Sequence, residues 1–237
     1  MSKIGSKKYM IIAGNTAHGV YRRDPEIEVF IDVSCTEELH RNSVTQNAIV
    51  LGGNINLNEA MDTFAKAEQI PTFSYCKDIR KHIDLIANVP VRNAGTLAGN
   101  LSIKHEHHEF PSDLFLLLQA VNAKIAIVTF KNTTKYVNIE EYLAEDMNKQ
   151  IILNIELKPL DPARYKFKSY KIMPRAQNSH AYVNAAFLIE FDQNEIVSCN
   201  LCFGGINPEF LRASKTEKFL LKKNPYSSEI LQKAIKT

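Results

Sequence analysis

Residues 9–19 read YMIIAGNTAHG. The apolar run Tyr9 to Ala13 stops at Gly14-Asn15, which predicts a buried strand entering a tight turn. The same pair of residues recurs. Ala48 to Leu51 is strand-like and meets Gly52-Gly53-Asn54, and residues 91–100 (VRNAGTLAGN) end on Gly99-Asn100. Gly204-Gly205 comes two residues before Asn207. Glycine permits positive φ, and asparagine tolerates it better than most residues. Turns of this kind expose successive backbone N–H groups, which form concave sites for anions. Taken singly, each is also an ordinary β-turn. Two phosphate motifs are excluded. Gly14 to Gly19 has P-loop spacing, but Val20 and Tyr21 replace the required Lys and Ser/Thr. No G-x-G-x-x-G occurs, so a Rossmann dinucleotide site has no support.

Outward from these turns, Ile27, Val29, Ile31 and Val33 alternate at strand spacing. Asn58 is expected to cap a helix on which Met61, Phe64 and Ala65 share a face. A second helix is expected from Ser74 to Ala87, closed by Pro90. Residues 91–101 have small side chains and no period, which predicts an ordered loop. The polar, His-rich stretch 103–110 reads as a solvated excursion. Ser112 caps a helix that is apolar nearly all round through Ala123 and therefore buried. Strands follow at 124–130 and 151–157. Pro159-Leu160-Asp161-Pro162 is expected to separate two lobes, residues 1–162 and 163–237. The second lobe reads as three strands, 165–172, 181–191 and 195–203, with a hairpin turn at Asp192-Gln193-Asn194. Ser214 and Glu217 have capping-box spacing before a helix, and a last helix is expected over 228–236. The class is α+β, with a three-stranded antiparallel sheet and helices in the last lobe.

Composition excludes several functions. The 237 residues carry 29 Lys+Arg against 26 Asp+Glu, too even a balance for a nucleic-acid domain. No apolar run approaches the roughly 18 residues of a membrane span, and the start lacks a secretory block. Four cysteines in a chain of this length suggest a reduced, cytoplasmic protein. Cys199 and Cys202 fall on opposite faces of a strand, which favours core packing over metal or redox chemistry. His105, His107 and His108 share one polar stretch, which favours solvation over a metal site. Lys215, Lys218, Lys222 and Lys223 read as a solvated helix face.

The motifs at Gly14 and Gly99 resemble the flavin domain of the molybdenum hydroxylases, the aldehyde oxidase and xanthine dehydrogenase family, with insect-type aldehyde oxidases closest in pattern. Three ordered segments carry the resemblance: 9–19; VRNAGTLAGN at 91–100 with Pro111-Ser112-Asp113-Leu114; and, after Pro162, Tyr170-Lys171-Ile172, 175–181 and CFGGINP at 202–208. It implies a PCMH-type FAD-binding domain of two α+β subdomains, followed by the C-terminal flavoprotein lobe. It implies that Ile11, Ile12, Ala13, Gly14, Asn15, Thr16, Ala17 and His18 form a first loop whose backbone donors hold the pyrophosphate. Thr96, Leu97, Ala98, Gly99 and Asn100 would form the second loop. Asp113 would meet polar groups of the cofactor, Ile86 and Ile152 would supply apolar contacts, and Lys171 would lie near the ring. A cation there stabilises the negative charge of reduced flavin. Ala98 stands where a second glycine is usual, and Ile86 where an aromatic is frequent.

The resemblance further implies an electron-transfer module of an oxidoreductase, passing electrons from iron–sulfur clusters through FAD to oxygen or NAD. The 2Fe-2S clusters and molybdopterin would sit in partner domains outside this chain. The full enzyme could form a homodimer, and neither nucleic acid nor membrane is an expected partner. By the same pattern an opening strand and helix are missing before Tyr9, and the closing helices are cut short after Ile235. Hydroxylation of a substrate is not expected of the chain alone. Two other readings stay open: a truncated or degenerate non-catalytic piece, and a stand-alone flavin oxidase.

Overall fold

Alternation at residues 29–33 and the apolar run at residue 9 pair with each other. The computed structural model describes residues 5–237, in which β1 (Tyr9–Ile12) and β2 (Val29–Asp32) form a two-stranded parallel sheet. A second sheet has five antiparallel strands in the order β3-β4-β7-β5-β6. Its members are β3 (Ser43–Val44), β4 (Ile49–Gly52), β5 (Lys124–Val128), β6 (Thr134–Asn138) and β7 (Ile151–Leu157). Helices α1 (Leu57–Ala67), α2 (Cys76–Ile83), α3 (Val89–Ala94), α4 (Leu97–Glu106) and α5 (Asp113–Ala120) lie between β4 and β5, and the short α6 (Ile139–Tyr142) follows β6. The last sheet is antiparallel and ordered β11-β10-β9-β8, from β8 (Tyr165–Ile172), β9 (Val183–Asp192), β10 (Glu195–Gly204) and β11 (Leu211–Arg212). Helices α7 (Ser214–Leu220) and α8 (Ser228–Ile235) end the chain.

Helix α5 explains the packing. All eight of its residues are buried, as an all-round apolar sequence requires, and it lies against β9 and β10. One large core therefore runs from Ile49 and Phe64 through Phe115 to Leu188 and Cys202. A smaller core, with Cys199, Leu201, Leu220 and Ala234, lies under α7 and α8. Cys199 and Cys202 thus serve different cores from opposite faces of β10, as strand spacing demands.

Several expectations are corrected. The cap of α1 is Asn56, not Asn58: Asn56 Oδ1 accepts the Glu59 N–H at 2.9 Å, and the Glu59 carboxylate accepts the Asn56 N–H at 3.0 Å. Asn58 instead accepts a bond from Arg92. The loop expected over 91–101 is two helices, α3 and α4, broken at Gly95-Thr96. Caps override the weak apolar period there: Asn88 accepts the Val91 N–H at 2.9 Å, and Thr96 accepts the Gly99 N–H at 3.0 Å. Pro90 opens α3 rather than closing α2, since a first-turn residue needs no N–H partner. The helix expected to reach Ala87 ends at Ile83, and Ala87 itself has φ 51°. Glu217 does not cap α7. Its carboxylate accepts the Leu201 N–H at 2.7 Å and pairs with Arg212 at 2.9 Å, a buried arrangement that outcompetes the cap. The two-residue β11 adds a fourth strand to the last sheet.

Candidate functional site

The first loop rests on the turn that opens α4. A Cβ on Gly14 would fall 1.6 Å from Ala94 O, and one on Gly95 would meet Thr16 Oγ1 at 3.1 Å. Glycine is needed at 14 for this close approach. The positive φ belongs to its neighbour, Asn15, at 52°. The same correction holds further along. Gly53 lets the backbone pass Ile152 O, which a Cβ would meet at 2.5 Å, with Ala98 Cβ at 3.3 Å. Gly99 lies in the first turn of α4, over its cap Thr96. Gly14 and Gly53 are therefore sites of close backbone packing, and the first loop packs on the Ala94-Gly95 turn that precedes α4.

The two loops differ in what they leave available. Among the described residues, no protein acceptor takes the backbone N–H groups of residues 14–19. Val20 and Tyr21, by contrast, bond back to Ala17 O at 2.9 Å. In the second loop four successive backbone donors are occupied, Leu97 by Ile55 O, Ala98 by Gly53 O, Gly99 by Thr96 Oγ1 and Asn100 by Thr96 O, at 2.9–3.1 Å, and among the described residues only the Thr96 N–H of residues 96–100 has no protein acceptor. The first loop offers a run of backbone donors plus the exposed Thr16 hydroxyl, and the second supplies the platform beneath it.

From α4 a polar chain leads inward. Ser112 donates to Asn100 Oδ1 at 2.5 Å and caps α5 by accepting the Phe115 N–H at 3.0 Å. The next residue, Asp113, is buried at 6% exposure. Its Oδ2 meets Lys171 Nζ at 2.7 Å, and its Oδ1 meets Asn184 Nδ2 at 2.7 Å and His82 Nε2 at 3.2 Å. Burial pushes the carboxyl upward, but the His82 hydrogen bond, the Lys171 charge and the Asn184 amide together outweigh it and hold Asp113 below its usual range. Lys171 donates a second bond to Leu85 O at 2.8 Å, which leaves one of its three N–H groups for another acceptor. Asn184 Oδ1 is buried without a partner among the described residues.

The chemistry-bearing residues named from the sequence fall into three groups. Ile11 and Ile12 end β1, and Ala13, Gly14, Asn15, Thr16, Ala17 and His18 form the loop after it. Thr96, Leu97, Ala98, Gly99 and Asn100 form the start of α4, linked through Ser112 to Asp113 and Lys171. Ile86 lies in the turn beside Leu85, whose carbonyl takes the Lys171 bond. Ile152 stands apart: its side chain is in the core at 2% exposure, and it reaches the loops only through its carbonyl at Gly53. His82 and Asn184 were not singled out in the sequence. The signal for Asn184 is an amide inside the apolar run of β9, at 1% exposure.

The His-rich stretch is not a solvated excursion throughout. Helix α4 extends to Glu106, His105 Nε2 lies 2.8 Å from Glu145 O, and His107 packs on Tyr21 at 4.5 Å between centroids. No group of three or more His, Cys, Asp or Glu able to hold a metal occurs among the described residues. Burial pushes the Cys199 thiol up to about 11 and the Cys202 thiol up to about 12, which removes them from thiolate chemistry.

Residues 2–159 match the family described as the FAD binding domain in molybdopterin dehydrogenase. The chain belongs to this family. Residues 168–237 match the CO dehydrogenase flavoprotein C-terminal domain. Among curated relatives, an indole-3-acetaldehyde oxidase of Arabidopsis thaliana is 30% identical over 95% of this chain and 18% of its own length. Xanthine dehydrogenase 1 of the same plant is 29% identical over 95% of this chain and 17% of its own length. The chain thus spans under a fifth of the relatives it matches. Among solved structures, a carbon monoxide dehydrogenase from Hydrogenophaga pseudoflava superposes with a TM-score of 0.81 at 19% identity, covering 99% of this chain and 79% of that one. Quinoline 2-oxidoreductase from Pseudomonas putida 86 gives 0.75 at 18% identity, over 97% and 77%. Both share the fold: a FAD-binding domain followed by a small sheet lobe. Among the described residues, no helix of the FAD-binding domain or its lobe is long and apolar enough to cross a membrane.

Proposed function

We propose that this FAD-binding module works in an aldehyde oxidase or xanthine dehydrogenase-like molybdo-flavoenzyme. When bound, FAD supplies the redox chemistry, taking electrons from iron–sulfur clusters and handing them to oxygen or NAD. Hydroxylation of substrate belongs to the molybdopterin domain of the full enzyme, which is read as a cytoplasmic protein and a homodimer. Iron–sulfur and molybdopterin domains are its partners, and neither nucleic acid nor membrane is. Pro159 to Pro162 is read as the boundary between the FAD domain and the flavoprotein lobe.

One observation carries this reading: the consecutive unbonded backbone N–H groups of residues 14–19, seated on the turn before α4. A diphosphate needs many donors, and this loop leaves six consecutive backbone N–H groups unclaimed by the protein among the described residues. The Thr16 hydroxyl adds a side-chain donor. Asn100 orients Ser112 and, through the cap, the start of α5. Asp113 holds the Lys171 ammonium in place, and the third N–H of Lys171 stabilises negative charge beside it. Ile86 supplies apolar backing beside Leu85, while Ile152 supports Gly53 only through its backbone carbonyl. The test is direct. The purified chain is mixed with FAD, desalted, and its visible absorption recorded. Flavin absorption co-eluting with the protein is expected, and a folded but colourless chain overturns the reading.

A further inference from the structure

The turn joining α2 to α3 is held by its carbonyls. Arg92 Nη1 donates to Asp84 O and to Ile86 O, each at 2.9 Å. Lys171 Nζ donates to Leu85 O at 2.8 Å, and the Asn178 N–H donates to Ala87 O at 3.0 Å. Four successive carbonyls are claimed, two by a side chain of α3 and two by the last lobe. Arg92 is 5% exposed, and it also bonds Asn58 Oδ1 at 3.2 Å and Asp84 Oδ1 at 2.8 Å. Four of the five guanidinium N–H groups are therefore fixed, which makes burial of the charge tolerable. Ala87, at φ 51°, has no intrinsic reason to adopt the left-handed region, so its surroundings impose it.

We propose that Arg92 is a positioning residue for the flavin site: by fixing the 84–88 turn it sets Leu85 O, and through Leu85 O the ammonium of Lys171. The inference rests on the reading of Lys171 as flavin-facing. Leu85 O and Asp113 Oδ2 are the two acceptors that aim the ammonium. If the turn relaxes, Asp113 alone holds it, and the remaining N–H loses its direction. Nη1 alone donates to both carbonyls, while Nε and Nη2 anchor the planar group on Asn58 Oδ1 and Asp84 Oδ1; a lysine ammonium can reach the carbonyls but lacks those anchors, and so reproduces the arrangement only in part. The Asp84 carboxylate, 60% exposed, is secondary to the carbonyls.

The experiment uses the full chain with Arg92→Met, Arg92→Lys and, as a control for the ion pair, Asp84→Asn. The first readout needs no flavin: hydrogen exchange at the Asn178 amide, which bonds to Ala87 O. In Arg92→Met it is expected to speed up about tenfold, while the β9 and β10 amides and the Asp84→Asn protein stay near the parent. The second readout is the reduction potential of bound FAD. It is expected to move negative in Arg92→Met and to be partly restored in Arg92→Lys, which also serves if the methionine variant fails to fold. Unchanged Asn178 exchange, exchange that rises equally in the strands, or an unmoved potential overturns the proposal. A parent chain that takes up no FAD removes the flavin reading and the Lys171 half of this proposal with it. Amide exchange then still decides whether Arg92 fixes the turn.

Discussion

Lys171 Nζ lies 2.7 Å from Asp113 Oδ2, with side-chain exposures of 1% and 7%. The pair joins the first strand of the last lobe to the N-terminus of α5, so the two parts of the chain meet through opposite buried charges. Removing one member strands the other in a low-dielectric setting. Asp113→Ala is therefore expected to cost about 3–5 kcal/mol, read as a shift of the denaturant midpoint. Lys171→Met, which also removes the ammonium but adds apolar volume, is expected to cost less. Equal and negligible losses for both would contradict the pairing.

The same pair predicts an acid limb. Asp113 sits below its usual range, so its contribution to stability is complete above the unfolded value of about 4 and is lost as pH falls through that value toward the lower folded one. Parent and Asp113→Asn stability curves are expected to run parallel above pH ~5 and to converge below pH ~4. Curves that stay parallel down to acid would show that the carboxylate is not held charged by its neighbours.

Gly14→Ala tests the seat of the first loop. The new Cβ would meet Ala94 O at 1.6 Å, and neither backbone can yield without moving the loop off the turn between α3 and α4. Overpacking of this kind costs about 1–3 kcal/mol, which here falls on the loop and reduces FAD affinity by roughly tenfold or more. Titration of flavin fluorescence measures it. Unaltered affinity would mean that the loop does not depend on this contact.

Cysteine labelling checks the core. Cys76, Cys199 and Cys202 are buried and Cys35 is exposed. A native chain at pH 8 is expected to take one equivalent of a thiol reagent at Cys35, with the other three reacting only on denaturation. Fast labelling at Cys199 or Cys202 would contradict the two-core arrangement of β10.

The sequence told more about strands and buried helices than about the parts made by caps. Period and apolarity located β8, β9 and β10 to within two residues and α5 to within three, its end falling at Ala120 rather than Ala123, because each carries a long unambiguous pattern. Helices α3 and α4 were invisible for the opposite reason: Asn88, Thr96 and Pro90 define them locally, and their small residues show no face. The glycines were found, but their purpose was not. Close approach to Ala94 and Ile152 is a tertiary fact, and no local pattern encodes it. The same holds for His82 and Asn184, which reach Asp113 from 31 and 71 residues away. Arg92 acts through carbonyls of the turn before its own helix, a contact that no periodicity in residues 91–101 encodes.

The central claim is that the first loop grips a diphosphate bridge, and comparing flavins tests it most directly. FAD, FMN and riboflavin share the ring, but only FAD carries the bridge. Fluorescence titration of the parent chain is expected to give FAD an affinity at least about 100-fold above that of riboflavin, since several charge-assisted bonds distinguish them. Equal affinities for the three, in a chain shown to be folded, would contradict it.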